Sequence, residues 1–248
     1  MQNDIQKSNP NHFSFWDEWS NSPIKKGKII VIEWTDCSGK ETQSKLLIER
    51  FAREGIHLHY LDFPQYESPT GKIVGWAYLG KPSIWPCVFP EWATHVDPKI
   101  ASLYFAADRL YHLPKIQKIL QEGSLILDRY TYSNMAHQWG KISLSSQRNQ
   151  LYEWIELLEF QLLQLPEADI KIFLHMPPQF TEKLKGAKSE LDQHEKDIIH
   201  LLNAEQAYFE IVEKYHFYTI ECVDWDRLKS IEEINNELYQ YLKTMNLS

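Results

Sequence analysis

The stretch Lys28–Leu47, KIIVIEWTDCSGKETQSKLL, is the most informative part of this chain about its fold. Its apolar, β-branched run Ile29–Ile32 predicts a buried strand, and a polar loop with Ser38, Gly39 and Lys40 then leads into a helical pattern. A strand and a helix joined by a loop that ends in Gly-Lys form a phosphate cradle. The loop N–H groups, the positive end of the helix and the lysine all favour a polyphosphate. The stretch therefore predicts that the chain binds a nucleotide through its phosphates.

Two residues of this stretch depart from the phosphate-loop pattern G-x-x-x-x-G-K-[ST]. Trp34 stands where the pattern has its first glycine, and Glu41 stands where it has serine or threonine. Glycine at the first position permits a positive φ and a close approach of phosphate. Trp34 therefore predicts either a loop with this side chain turned outward or a distorted cradle. Glu41 lacks the hydroxyl group that ligates Mg²⁺, although its carboxylate could reach the metal or repel the phosphates.

The composition of the chain argues against some classes of partner. The sequence has 248 residues, with 26 basic and 34 acidic side chains and a net charge of −8. This acidic balance argues against nucleic-acid and anionic-membrane binding, since both need a dominant basic face. The three cysteines, Cys37, Cys87 and Cys222, are scattered and odd in number, which favours a reducing cytoplasm. No apolar run approaches membrane-spanning length, so we expect a cytoplasmic protein with no membrane partner.

We interpret residues 1–25 as an N-terminal extension and residues 26–248 as one α/β domain. In this domain short apolar strands alternate with helical patterns, which predicts a parallel sheet flanked by helices. The predicted strands are Lys28–Glu33, Leu58–Asp62, Ser124–Asp128, Ile170–His175 and Tyr218–Val223. The predicted helices are Gly39–Glu54, Pro98–Gln121, Gln147–Leu165, Asp192–Tyr215 and Ser230–Leu242.

Two stretches of the domain lack a regular pattern. Gly80–Pro98 holds several prolines and two tryptophans and is incompatible with a regular helix. Residues 181–195 are polar, charged and interrupted by a glycine, which is typical of a surface lid.

Three further segments give the chain a family resemblance. They are FPQYESPTGK at Phe63–Lys72, ASLYFAADR at Ala101–Arg109 and DRYTYSNMAHQ at Asp128–Gln138. In this order and spacing they resemble the thymidylate kinase family of P-loop nucleoside monophosphate kinases, and the resemblance runs from about Lys28 to about Tyr241. It implies a P-loop NTPase-type three-layer fold with a five-stranded parallel sheet, flanking helices and a lid. It also implies a homodimer.

On the donor side the resemblance implies ATP with Mg²⁺. Lys40 would lie on the β- and γ-phosphates and act as a catalytic residue. Asp128 would support the magnesium ion or its water shell. The phosphate oxygens would be held by the loop residues Cys37, Ser38, Gly39, Lys40, Glu41 and Thr42.

On the acceptor side the resemblance implies dTMP. Asp36 would approach the sugar or phosphate of this nucleotide, and Arg129 would hold its phosphate, so that both count as catalytic residues with Lys40. Phe63 would shape the pocket. The planar fork of an arginine suits a phosphate group, which agrees with the role of Arg129.

The same resemblance implies a set of residues around the thymine base. Phe105 would stack on the ring, and Arg109 would hydrogen-bond its O4. These two residues are four apart and share a helix face, so they can converge on one ring. Asn134 would read the base edge, and His137 and Gln138 would line the same pocket.

Three functions remain open from the sequence. The first is a working kinase that phosphorylates dTMP to dTDP with ATP. The second is a catalytically weak relative that binds a nucleotide or a partner, and the third is a kinase for another deoxynucleoside monophosphate. Retention of charged residues such as Lys40, Arg109 and Arg129 argues for a kinase, because such charges are costly to bury without their ligand.

Overall fold

The computed structural model describes residues 27–34, 40–81, 87–142, 144–177, 180 and 198–247. Some sequence predictions lie outside the described residues. They concern the extension 1–25, the loop residues Asp36, Cys37, Ser38 and Gly39, the side chain of Lys40, and the lid at 181–195.

Five parallel strands form the central sheet, as the sequence predicts, and their spatial order is β2-β3-β1-β4-β5. The strands are β1 Ile29–Trp34, β2 Leu58–Asp62, β3 Ser124–Asp128, β4 Ile170–His175 and β5 Tyr218–Glu221. A short antiparallel hairpin follows, with β6 Val223–Asp224 and β7 Arg227–Leu228. The predicted fifth strand therefore ends two residues early, since Val223 pairs within the hairpin.

Seven α-helices lie in the described part of the chain. They are α1 Lys40–Arg53, α2 Pro69–Ile73, α3 Pro98–Glu122, α4 Thr131–Trp139, α5 Ser145–Glu156, α6 Ile198–Tyr215 and α7 Ile231–Lys243. Two of them continue as π-helical turns, at Val74–Tyr78 after α2 and at Leu157–Leu162 after α5. The sequence did not predict α2 or α4, and it predicted one regular helix where α5 and its π-helical turn lie.

The sheet separates two apolar layers, because successive side chains of β1 point to opposite faces. Ile30, Ile32 and Trp34 belong to a buried cluster with α1 and α7. Ile29 and Val31 belong to a second cluster with α3, α4, α5 and α6. Burial on both faces explains why the strands are nearly continuous apolar runs in the sequence.

Candidate active site

The carboxyl ends of β1, β2 and β3 lie side by side at one edge of the sheet. Asp62 and Asp128 are register partners, and Asp128 is also the register partner of Ile32 in β1. The helix after β1 packs on one face of the sheet, and the helix after β3 packs on the other. This reversal between β1 and β3 marks the position where open α/β sheets bind their ligands.

Trp34 ends β1 at this edge and is part of the core. It is paired with Leu174 of β4, its side chain is 1% exposed, and it packs in the cluster with α1 and α7. Its φ is not positive, so the backbone here does not need a glycine. The expectation that this side chain turns outward is therefore wrong, because an apolar layer next to the strand covers it. The cradle itself, residues 35–39, lies outside the described residues.

Tyr60 and three carboxylates form an anionic patch at the same edge. The Tyr60 hydroxyl donates to Oδ2 of Asp128 over 2.9 Å. Burial raises the pKa of Tyr60, and the charges of Asp128, Asp62 and Glu41 raise it further. Glu41 lies in the first turn of α1, is exposed, and pairs with Lys45 at 2.6 Å. Asp62 and Asp128 are register partners at this edge, and carboxylate oxygens are hard ligands for a cation.

Arg129 follows β3 in a left-handed conformation, with φ of +65°. Its Nη1 lies 2.9 Å from Nε2 of His137. An arginine nitrogen only donates, so Nε2 of His137 accepts and this imidazole carries its proton on Nδ1. Left-handed residues other than glycine are uncommon and concentrate at functional sites, which draws attention to this position.

Glu33 lies next to Trp34 in β1 and faces the opposite layer. Its fully buried carboxylate accepts hydrogen bonds from the backbone N–H groups of Tyr130 and Ser133, at 3.0 and 3.1 Å, and from the hydroxyls of Ser133 and Tyr208. Burial raises the pKa of Glu33, while these hydrogen bonds and the charge of Arg129 oppose the rise. Glu33 thus fixes the start of α4 against β1 and α6.

Arg109 of α3 is held by a second buried acid. Its Nε and Nη2 both lie 2.6 Å from the two carboxylate oxygens of Glu159, and both side chains are almost fully buried. Thr131 and Asn134 of α4 donate to the same carboxylate. The structure thus brings Arg109 and Asn134 together on one carboxylate. The role of each residue toward a base stays a prediction.

The remaining predicted residues lie on the same side of the sheet. Phe63 is buried in the core, with its ring centroid 6.0 Å from that of His112. Phe105 is half-buried and packs edge-on against Tyr78 at 5.5 Å. Gln138 is fully buried, and neither atom of its amide group has a hydrogen-bond partner among the described residues. A buried polar group without a partner needs an explanation, and a ligand is one.

The loop after β2 depends on Asp108, which neighbours Arg109 in α3. Its carboxylate accepts hydrogen bonds from the Gln65 backbone at 2.9 Å and from the hydroxyls of Ser68 and Thr70. This buried acid therefore anchors the loop that follows Phe63 to α3.

Sequence reasoning missed the structural roles of Glu33, Tyr60, Asp108 and Glu159. Glu33 and Asp108 stand beside residues that the sequence singled out. Glu159 is an acid within an apolar stretch, LLEFQLL, and that contrast is the signal that could have found it.

The fold and the residues at this edge of the sheet indicate which class of protein this is. A parallel sheet of order 2-3-1-4-5, with a helix starting at Lys40 after β1 and with acids and an arginine after β3, places a ligand site at the carboxyl ends of β1 and β3, as in nucleotide-binding α/β proteins. Comparison with known proteins then gives the family. The family model described as thymidylate kinase matches residues 32–237, and the chain belongs to the thymidylate kinase family, whose members are nucleoside monophosphate kinases.

Individual relatives agree with this assignment. The chain is 30% identical over 219 residues to a probable thymidylate kinase of Methanocaldococcus jannaschii, covering 88% of this chain and 96% of the relative. It is 28% identical over 217 residues to the thymidylate kinase of Plasmodium falciparum, covering 86% and 89%. The solved thymidylate kinase of Candida albicans superposes with a TM-score of 0.66 at 24% identity, covering 88% of this chain and 92% of that one, and supports the fold.

Proposed function

We propose that the protein transfers the γ-phosphoryl group of ATP to dTMP, which gives ADP and dTDP. Family membership supports both nucleotides, and the observation that carries the proposal is Arg129. This residue has a left-handed backbone after β3, where the helices change from one face of the sheet to the other, and its guanidinium reaches His137 of α4. A left-handed residue other than glycine costs about 1–2 kcal/mol, a strain that is typical of ligand sites.

Phosphoryl transfer needs alignment and neutralisation of charge rather than covalent help. In the proposed site Arg129 holds the acceptor phosphate and Asp36 approaches the same nucleotide. Lys40, at the start of α1, neutralises the β- and γ-phosphates together with the positive end of that helix. Phe105 contributes a half-buried ring on which the base stacks, and Phe63 closes the pocket from the core.

Magnesium fits the oxygen ligands at this edge of the sheet. No group of three or more metal-ligating side chains occurs in the part of the chain that the structure describes. Mg²⁺ does not need one, because it binds through one or two carboxylates, water and substrate phosphates. Asp128 would hold the ion or its waters, with Glu41 and Asp62 nearby in the anionic patch around Tyr60. The ion would neutralise charge on the transferred phosphoryl group.

The proposed partner is a second copy of the chain, bound through α3. Ile100, Leu103 and Tyr111 are about half exposed, and exposed Ala107 lies between them, so that the four form one apolar stripe along this helix. Leu103→Glu should give a monomer in sedimentation analysis, whereas the matched change Leu202→Glu on α6 should leave a dimer. A parent protein that sediments as a monomer would contradict the proposal.

The proposed cellular setting is the cytoplasm. Its support is that Cys87 and Cys222, the cysteines within the described residues, are free thiols, as a reducing compartment keeps them. Within the described residues, every helix is too short or too polar to cross a membrane.

The test of the function is coupled ADP release with dTMP, dUMP and the other deoxynucleoside monophosphates as acceptors. We expect turnover with dTMP above all. Lys40→Ala should remove most of it, and Lys45→Ala, the same change one turn later at an exposed position of α1, should retain it. A folded protein that releases no ADP with any acceptor would refute the proposed function. A Lys40→Ala variant as active as the parent would refute the role of that lysine.

A further inference from the structure

Glu159 is a buried charge that organises two elements of the proposed acceptor site. It lies in the π-helical turn after α5 and is 0% exposed. Its Oε1 accepts from Nη2 of Arg109 at 2.6 Å and from Nδ2 of Asn134 at 3.1 Å. Its Oε2 accepts from Nε of Arg109 at 2.6 Å and from the Thr131 hydroxyl at 2.9 Å. One carboxylate thus fixes side chains of α3 and α4 relative to each other.

The bidentate contact determines what Arg109 can offer a ligand. Nε and Nη2 form one edge of the planar guanidinium, and both face Glu159. The remaining nitrogen, Nη1, lies on the far side of the group. Arginine has no acceptor, so Arg109 can present only N–H groups to anything bound beside it.

The same carboxylate determines the orientation of Asn134. A carboxylate oxygen in this position accepts, so the amide atom that faces it must be the donor Nδ2. Nδ2 also points to the backbone oxygen of Ser102 in α3, at 3.4 Å. The amide oxygen Oδ1 is therefore directed away from Glu159. It is buried and has no partner among the described residues.

Gln138 extends this set of unpartnered groups along α4. It follows Asn134 by four residues and so shares its helix face, and it is 0% exposed. Neither its amide oxygen nor its amide nitrogen has a partner in the described part of the chain. Burial of such groups is unfavourable unless something bound supplies the missing hydrogen bonds. Asn134 and Gln138 thus place unpartnered polar groups on one face of α4.

We infer that Glu159 is a positioning residue that sets the hydrogen-bond pattern read on the acceptor base, with Arg109 as donor and Asn134 as acceptor. This inference rests on the proposed function. A pyrimidine with a 4-oxo group and an N3–H group matches that pattern. Cytosine mismatches it twice, because its 4-amino group would face Arg109 and its bare N3 would face Oδ1 of Asn134. This hydrogen-bond pattern does not read the 5-methyl group, so Glu159 has no effect on the choice between thymine and uracil.

Glu159→Gln tests the inference, because it keeps the shape of the side chain and adds a donor where only acceptors stood. We expect the KM for dTMP and for dUMP to rise about tenfold or more, with the KM for ATP within about twofold of the parent. The preference for dTMP over dCMP, as a ratio of kcat/KM values, should fall by about tenfold or more. The ratio of dTMP to dUMP should not change. Glu153→Gln, on an exposed position of α5, is the matched control and should behave as the parent.

Other outcomes decide the matter as clearly. If Glu159→Gln keeps the parent's KM for dTMP and its preference over dCMP, the inference is wrong and the proposed function stands. If Glu159→Gln does not fold, Asn134→Ala takes its place and should weaken discrimination against dCMP by about tenfold. If the parent turns over no nucleotide, calorimetric titration with dTMP and dCMP decides. A preference of the parent for dTMP that Glu159→Gln loses would support the inference. Equal affinity of the parent for the two nucleotides, or a preference that Glu159→Gln keeps, would overturn it.

Discussion

Trp34→Gly restores the glycine of the phosphate-loop pattern, yet the structure predicts that this substitution lowers the free energy of unfolding. Trp34 is 1% exposed, and from the end of β1 its side chain packs in the apolar layer with α1 and α7. A buried tryptophan removes about 200–250 Å² from water, which at ~25 cal/mol per Å² gives an upper bound of about 5–6 kcal/mol. Truncation of a buried tryptophan to alanine costs about 3–5 kcal/mol, and glycine in a strand adds about 0.5–1 kcal/mol.

The expected loss in the free energy of unfolding is therefore about 4–6 kcal/mol, against about 5–15 kcal/mol for a whole domain. For a chain of this size it corresponds to a fall of about 10–20 °C in Tm. Trp34→Phe should cost less, about 1–2 kcal/mol, because it keeps an aromatic ring and removes only part of the buried volume. It also removes the indole N–H, which has no hydrogen-bond partner among the described residues.

Denaturant unfolding followed by far-ultraviolet circular dichroism measures these differences without relying on tryptophan fluorescence. Trp225→Gly is the matched control, since Trp225 is 95% exposed and already has a positive φ of 56°. It should change the free energy of unfolding by no more than about 0.5–1 kcal/mol, in the stabilising direction if at all. At a temperature where Trp34→Gly is folded, its affinity for ATP should not exceed that of the parent. Equal unfolding midpoints for Trp34→Gly and Trp225→Gly would show that Trp34 is not a core residue. A higher ATP affinity of Trp34→Gly than of the parent would show that the tryptophan hinders the cradle.

Two further predictions follow from particular residues. Burial lowers the pKa of His175, but hydrogen bonds from its ring to Glu205 and Glu221, at 3.1 and 2.6 Å, outweigh burial and raise it above 6.5. Protonated His175 therefore stabilises the folded state. This stabilisation is complete below the pKa of His175 in the unfolded chain and is lost as the pH rises through its pKa in the folded protein. The urea midpoint of unfolding should be higher for the parent than for His175→Gln at low pH, and this difference should shrink as the pH rises. A difference that stays constant up to pH 9 would contradict this prediction. Arg129→Gly and Arg129→Ala should both lose turnover, but the glycine variant should be about 1 kcal/mol more stable by denaturant unfolding, because φ is +65° there; equal stability would argue against the strain.

The sheet could be predicted from the sequence because each strand is a short apolar run that is covered on both faces. β2, β3 and β4 have the predicted boundaries, and β1 is displaced by one residue because Trp34 continues it. The phosphate-loop pattern places Trp34 in a loop, where glycine is expected, whereas its neighbours in space belong to α1 and α7. Local pattern alone does not contain this information.

Helix α4 shows why sequence patterns could not predict part of the candidate site. Its residues are buried nearly all round, so they show no apolar periodicity, and its polar side chains find partners in distant elements. Glu33 of β1 and Glu159 after α5 lie about 100 and 25 residues from their α4 partners. The segment from Asp128 to Gln138 could be assigned to a site through family resemblance. The acids that hold it in place could be found only in three dimensions.

We propose that this chain is a kinase for dTMP, although a tryptophan stands at the start of its phosphate loop. The most direct measurement follows the γ-phosphoryl group itself, with γ-labelled ATP, Mg²⁺, dTMP and the purified full-length protein. We expect the label to appear in dTDP in step with ADP release, and we expect omission of dTMP to stop both. Release of labelled inorganic phosphate without labelled dTDP, or no release of ADP from a folded protein, would contradict it.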